Sequence, residues 1–267
     1  MILNYSFPDG IKYEQKYITG GDFLTTGSYL DPAKRLYQYA TNRYIYINWD
    51  TSNVVDMSYM FYDADCVKIF NLKTDSVSNM THMFDRSSIK MIDELRTTNV
   101  SDMSAMFYFC SSLIEIPEMD MSNVTNVSNM FYYCPELVKI PNLNCSKVTS
   151  FSSFTYQTSK LESMGVIDCD SCTNVSGIMN SSMSKLTYLG GFRNLGKASN
   201  VSNTNSTSFL NYAPNLTYES VMNVINGLYD RASAGLSVLT LKLHANHLAM
   251  LSEDDIAIAT NKGWTIV

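Results

Sequence analysis

Charge is the scarcest ingredient of this 267-residue chain. Asp, Glu, Lys and Arg make up 16% of it, against roughly 25% in an average soluble domain. The balance is acidic, with a formal net charge of −6. No basic stripe runs along the sequence, so the electrostatic footprint of a nucleic-acid binder is missing. No apolar run approaches the roughly 18 residues of a membrane-spanning helix, and membrane insertion is not expected. The first eight residues, Met1 to Pro8, hold neither a basic n-region nor an apolar h-region. No secretory signal is expected from them. Histidine is scarce as well: His82, His244 and His247. The last two are neighbours, but no Cys or acidic residue stands at ligand spacing beside them, and they read as surface histidines. Cys169 and Cys172 form a lone CxxC without a second pair, so no zinc site is expected. Catalytic signatures are also absent. There is no G-x-S-x-G elbow, no phosphate-binding Gly-rich loop, and no pair of acids placed for glycoside hydrolysis. The chain is expected to be no enzyme and to carry no cofactor and no metal.

What fills the deficit is Ser, Thr and Asn, together with a repeat. The phrase Asn-Val-x-x-Met-x-x-Met-Phe recurs from Asn53 to Phe61, Ser76 to Phe84, Asn99 to Phe107 and Asn123 to Phe131. It decays at Val148, Val175 and Val201. Counting from Val54, the repeat valines are 23 to 27 residues apart. A fixed period of this length describes units that cannot bury their apolar faces alone and so stack on one another. Within a unit, Val100, Met103, Met106, Phe107 and Cys110 have the spacing of one side of a short helix. A second apolar series follows in four consecutive units: Leu113, Ile116, Met119; Leu137, Ile140, Leu143; Leu161, Met164, Ile167; Leu186, Leu189, Phe192. It reads as a short strand ended at one common point by Pro117, Pro141, Gly165 or Gly190. Asp56, Asn79, Asp102 and Asn126 share one repeat column, which suits turn or capping work. The six cysteines read as buried thiols, with a disulfide between adjacent units left open.

The chain divides into three parts. Residues 1–48 do not repeat and end in a β-prone run from Arg43 to Trp49, so they form a cap or an attachment segment. Residues 49–217 carry the repeats. In residues 218–267, Val221, Val224, Ile225 and Leu228 follow a helical period, Leu239 to Leu243 alternate as a strand, Ser252 starts a helix that Lys262-Gly263 ends, and Trp264 to Val267 close with a strand. This last part reads as an αβ capping unit.

The runs Asn99 to Phe107 and Cys110-Ser111-Ser112-Leu113 closely resemble the BspA-like leucine-rich repeats. The resemblance covers about residues 50 to 195. The closing stretch Ile256 to Thr265 looks like terminal units attached to such repeats in gut bacteria and their phages. With the period, the resemblance gives the expected fold: an α/β solenoid, a leucine-rich-repeat-like right-handed stack of about seven coils of 23–27 residues with a parallel sheet, capped at both ends. It also implies surface proteins that bind host proteins, adhesins, and in phages parts of virion fibres and decorations. No catalytic residues carry over.

One column is a candidate binding surface. Tyr62, Tyr108, Tyr132 and Tyr156 each follow the Phe position or its replacement Thr155. On a helical wheel they point away from the apolar side, with Phe109 and Tyr133 at the boundary. Exposed tyrosines suit stacking on sugars or anchoring a protein partner, and Tyr packed on Tyr could equally stiffen a wall. The expectation is therefore a non-enzymatic recognition module of a phage virion, a fibre or decoration that contacts a host-surface protein or glycan. Residues 1–48 would then contact other virion proteins. A bacterial surface or secreted adhesin and a purely structural virion component without a ligand are the alternatives.

Overall fold

Alternate backbone N–H groups of the recurring phrase bond outside their own repeat. Met57, Tyr59, Phe61 and Asp63 donate to the carbonyls of Asn79, Thr81, Met83 and Asp85 at 2.7–3.0 Å. Met80, His82, Phe84 and Arg86 do the same toward Asp102, Ser104, Met106 and Tyr108. The N–H groups between them close i→i+3 turns, as Met60 does onto Met57, Tyr62 onto Tyr59 and Ala64 onto Phe61. An α-helix needs each N–H for the carbonyl four residues back, so the phrase cannot be helical while it bonds this way. It is a chain of turns, and the short helix expected from the apolar spacing does not form. The turns need left-handed residues. Tyr59, His82, Ala105, Asn129 and Ser153 form one such column, and Asp63, Arg86, Phe109, Tyr133 and Gln157 another, all with φ between +50° and +61°. Each costs on the order of 1–2 kcal/mol, which the bonds between repeats offset.

The computed structural model describes residues 3–6, 12–15 and 44–46, then 51–70, 72–175, 177–179, 183–197 and 209–267. The cap-or-attachment role of residues 1–48 and the last repeat, at Val201, lie outside the described residues, apart from three strands. These are β1 (Leu3–Ser6), antiparallel to β2 (Lys12–Gln15), and β3 (Tyr44–Tyr46). Next come β4 (Lys68–Phe70), β5 (Met91–Ile92), β6 (Lys139–Ile140), β7 (Ser163–Met164), β8 (Ile167–Asp168), β9 (Tyr188–Leu189) and β10 (Phe192–Arg193). The C-terminal part holds α1 (Tyr218–Asn226), β11 (Leu239–Leu241), α2 (Ala245–Leu248), α3 (Glu253–Asn261) and β12 (Trp264–Ile266).

The expected α/β solenoid of about seven coils sharing one parallel sheet is corrected by this arrangement. Parallel pairing among the described residues breaks into small separate sheets: β3-β4-β5, β6-β7-β9, β8 with β10, and β11 with β12. The strands are two or three residues long. Between the two three-stranded sheets, Glu115 makes only an isolated bridge to Lys139. Two causes are visible. Every second N–H group of the phrase is committed to a turn, and the strand stops are abrupt. β6, β7 and β9 end immediately before Pro141, Gly165 and Gly190. Proline has no N–H to extend the ladder. A side chain on Gly165 would meet Asn142 and Pro141 at 2.5–2.7 Å, so the neighbouring backbone occupies that space. Among the described residues the α-helices all follow residue 217, preceded by a 3-10 turn at Phe209–Tyr212.

Side chains in equivalent positions line up in columns. Phe61, Phe84, Phe107 and Phe131 are fully buried and stack with centroids 5.4, 5.4 and 5.6 Å apart, nearly parallel. Phe154 ends the stack edge-on at 5.1 Å. All twelve residues of the second apolar series are buried beside it. The six cysteines are free, buried thiols. Burial pushes Cys110, Cys134 and Cys145 up. Cys169 is pushed up by its hydrogen bond with Cys172 and then by burial. All four therefore stay protonated, and two join the backbone scheme: Cys110 Sγ donates to Phe84 O at 2.9 Å and Cys134 Sγ to Phe107 O at 3.0 Å.

The Asp/Asn column does turn work. Asp56, Asn79, Asp102 and Asn126 each accept from the N–H two residues on, at 2.8–3.1 Å. At the C-terminal end, α1 is tied to β9 by Ser220, whose Oγ accepts from Leu189 N at 3.0 Å, and by Asn223 Nδ2, which donates to Leu189 O at 3.1 Å. Ser252 caps α3 and shares a capping box with Asp255.

Two outcomes are expected. Phe107→Ala empties the middle of the aromatic stack, and urea melts should show a loss of about 3–5 kcal/mol. For Asp102, burial acts to raise the carboxyl, but hydrogen bonds from Ser104 and Asn126 outweigh it and hold it below 3.8. A depressed folded value gives stability that is present above the unfolded value and lost as pH falls through the folded one. Asn already serves this column at Asn79 and Asn126. Asp102→Asn should therefore fold and lose less stability than the wild type as pH falls below about 4, measured by urea melts at successively lower pH.

Candidate interaction surface

The turn that places Phe61 in the core places Tyr62 outside it. In each repeat the residue after the Phe is the last one of an i→i+3 turn: Tyr62 closes onto Tyr59, Tyr108 onto Ala105 and Tyr132 onto Asn129. The next residue is left-handed, which turns Phe109 and Tyr133 further outward. Tyr62, Tyr108, Tyr132 and Tyr156 are half-buried. Phe109 and Tyr133 are the more open pair, 36% and 37% exposed. This reverses the helical-wheel expectation, because a wheel assumes 100° per residue and these turns do not follow it.

The rings touch. Tyr108 stacks on Tyr132 at 4.9 Å, Tyr132 meets Tyr156 at 4.7 Å, and Phe109 stacks on Tyr133 at 4.7 Å. Tyr108 and Phe109 lie 4.8 Å apart and join the two rows. Burial, and then the neighbouring Tyr108 and Tyr156, push the Tyr132 phenol up, so it remains a hydroxyl able both to donate and to accept. Tyr62 belongs to the same strip but reaches it by a different route. It contacts Tyr59 at 5.7 Å, Tyr59 stacks on His82 at 4.7 Å, and His82 stands edge-on to Tyr108 at 6.4 Å.

The detour exists because Asp85 stands where the column calls for an aromatic. Its carboxylate is bound by His82 Nδ1 at 2.7 Å. Arg86 lies over the Phe109 ring at 5.7 Å. Sequence reading passed over Tyr59, Asp85 and Arg86 and took His82 only as one of three scattered histidines. Aligning the repeats shows them: Tyr59 and His82 each lie two residues past the first Met of the phrase, and Asp85 falls in the Tyr62–Tyr108 column.

The surface offers stacking and hydrogen bonding. Among the described residues no group of His, Cys, Asp and Glu could hold a metal ion. His247 is buried and pairs through Nε2 with Ala213 O at 3.0 Å, while His244 caps α2. The expectation of two surface histidines is corrected for His247. Among the described residues no helix is long and apolar enough to cross a membrane.

One family model matches the chain, over residues 33–139, 65–170 and 114–206. Together these overlapping matches run from 33 to 206, well over half of the chain, and they include the whole aromatic strip. No curated protein and no solved structure matches. The chain belongs to the DUF285 family, described as a Mycoplasma protein of unknown function.

Proposed function

We propose that this chain is a non-enzymatic recognition module that engages a host-surface protein or glycan through its aromatic strip. The observation that carries the reading is the continuity of that strip. Eight rings from Tyr59 to Tyr156 form one connected surface, with Phe109 and Tyr133 more than a third exposed. Tyr is amphipathic, stiff and enriched in interfaces, so a row of it gives contact area at small entropic cost. The acidic balance of the chain argues against a nucleic-acid partner. The resemblance to BspA-like repeats supports a surface setting, as a virion fibre or decoration or as a bacterial surface adhesin.

A second reading has its own support. The rings stack on one another, so much of their area is used internally and could serve to stiffen a structural component without a ligand. Binding separates the two. Fluorescently labelled protein should bind intact gut bacterial cells, and a variant with Tyr108→Ala, Tyr132→Ala and Tyr156→Ala should bind at least tenfold more weakly while keeping its circular dichroism spectrum. Undiminished binding by the folded variant overturns the assignment to the strip. Absence of binding, with assembly of the wild type into oligomers, favours the structural reading.

A further inference from the structure

Asp85 interrupts the tyrosine column at one position. Tyr62, Asp85 and Tyr108 occupy the same place in successive repeats, each N–H closing a turn onto the residue three before it. A carboxylate is shorter than a phenol, so Asp85 forms the floor of a notch between two tyrosines. Its side chain is 5% exposed. Oδ2 accepts the bond from His82. Oδ1 is shut off from solvent and accepts no hydrogen bond. Arg86 Nε comes no closer than 3.7 Å, because the guanidinium sits over Phe109. A buried carboxylate oxygen left short of a donor favours any ligand that brings one.

The walls suit a cation. Tyr62 and Tyr108 are two repeat steps apart, roughly 10 Å at the usual strand spacing. A positive group midway would lie about 5 Å from each ring, inside the roughly 6 Å reach of a cation–π contact. The stacked Tyr59 and His82 rings close one side. Arg86 is ion-paired to the same Oδ1 at 3.7 Å, and with its side chain 56% exposed it would have to swing aside as a cover.

We propose that this notch receives an arginine side chain from a basic protein partner, its guanidinium between the two tyrosines and donating to Asp85 Oδ1. A guanidinium is planar, weakly hydrated and forked, which fits a slot with aromatic walls and a carboxylate floor. The proposal rests on the strip being a recognition surface.

The test is a titration of isotope-labelled protein with N-acetyl-arginine amide, following the Asp85 carboxyl and the His82 ring by NMR. N-acetyl-citrulline amide serves as the neutral control of the same shape. The arginine compound should give saturable shifts and the citrulline compound at least fivefold weaker ones. Asp85→Tyr restores the aromatic column, keeps the repeat pattern and should abolish the response. Arg86→Gln removes the cover and should keep or strengthen it. No response in either the wild type or Arg86→Gln overturns the proposal, as does an equal response to citrulline or to methyl glucoside, or persistence in Asp85→Tyr. Cell binding that depends on Tyr108, Tyr132 and Tyr156, with no arginine response, refutes the notch and leaves the surface reading standing.

Discussion

Everything in the repeat region follows from where alternate N–H groups go. No repeat satisfies its own backbone: Met57, Tyr59, Phe61 and Asp63 need the carbonyls of the following repeat, and Met80, His82, Phe84 and Arg86 of that repeat need those of the next. A buried backbone donor must be paired, so each repeat is held at one hydrogen-bonded step from its neighbour. That step sets the separation of every equivalent pair of side chains. The phenylalanines of the core and the tyrosines of the surface are stacked for the same reason, at 5.4–5.6 Å and 4.7–4.9 Å. The left-handed residues are the cost of the scheme. Two columns of them recur, and eight of the ten are residues other than Asn or Asp, for which positive φ is uncommon. The bonds between repeats over-determine these conformations.

The sequence made the period and the core legible and left the local geometry hidden. Val100, Met103, Met106 and Phe107 are all buried, as their spacing says. But apolar residues three and four apart mark one face of any chain that turns every three residues, helical or not. A better clue lay beside them. Asp56-x-Ser58, Asn79-x-Thr81, Asp102-x-Ser104 and Asn126-x-Ser128 carry the Asx-turn signature, and all four make that bond. The sheet was over-read in a similar way. The strand stops at Pro141, Gly165 and Gly190 are where the sequence puts them. Two-residue strands with such stops give separate small sheets and no continuous one.

The tyrosine column was visible as a spacing, but its direction was not, because direction depends on dihedral angles that only the turns supply. His82 shows the other blind spot. Taken alone it reads as a scattered surface histidine. Placed in its column it faces Tyr59 ring to ring and holds Asp85. In a repeat, the residue type matters less than its departure from its column.

That point bears on how such a surface could select a partner. A strict ladder looks the same after every step, so a ligand bound at one register binds almost as well one repeat along. The strip also turns many of its ring faces inward upon each other: Tyr132 is covered by Tyr108 on one side and Tyr156 on the other. What it offers outward is mainly edges and hydroxyls, which are permissive. Specificity needs a difference in free energy between right and wrong arrangements. Asp85 supplies the one charged interruption of the tyrosine column between Tyr62 and Tyr156, and with it a single position where the translational equivalence of the repeats is broken. The stack gives area, and the break gives register.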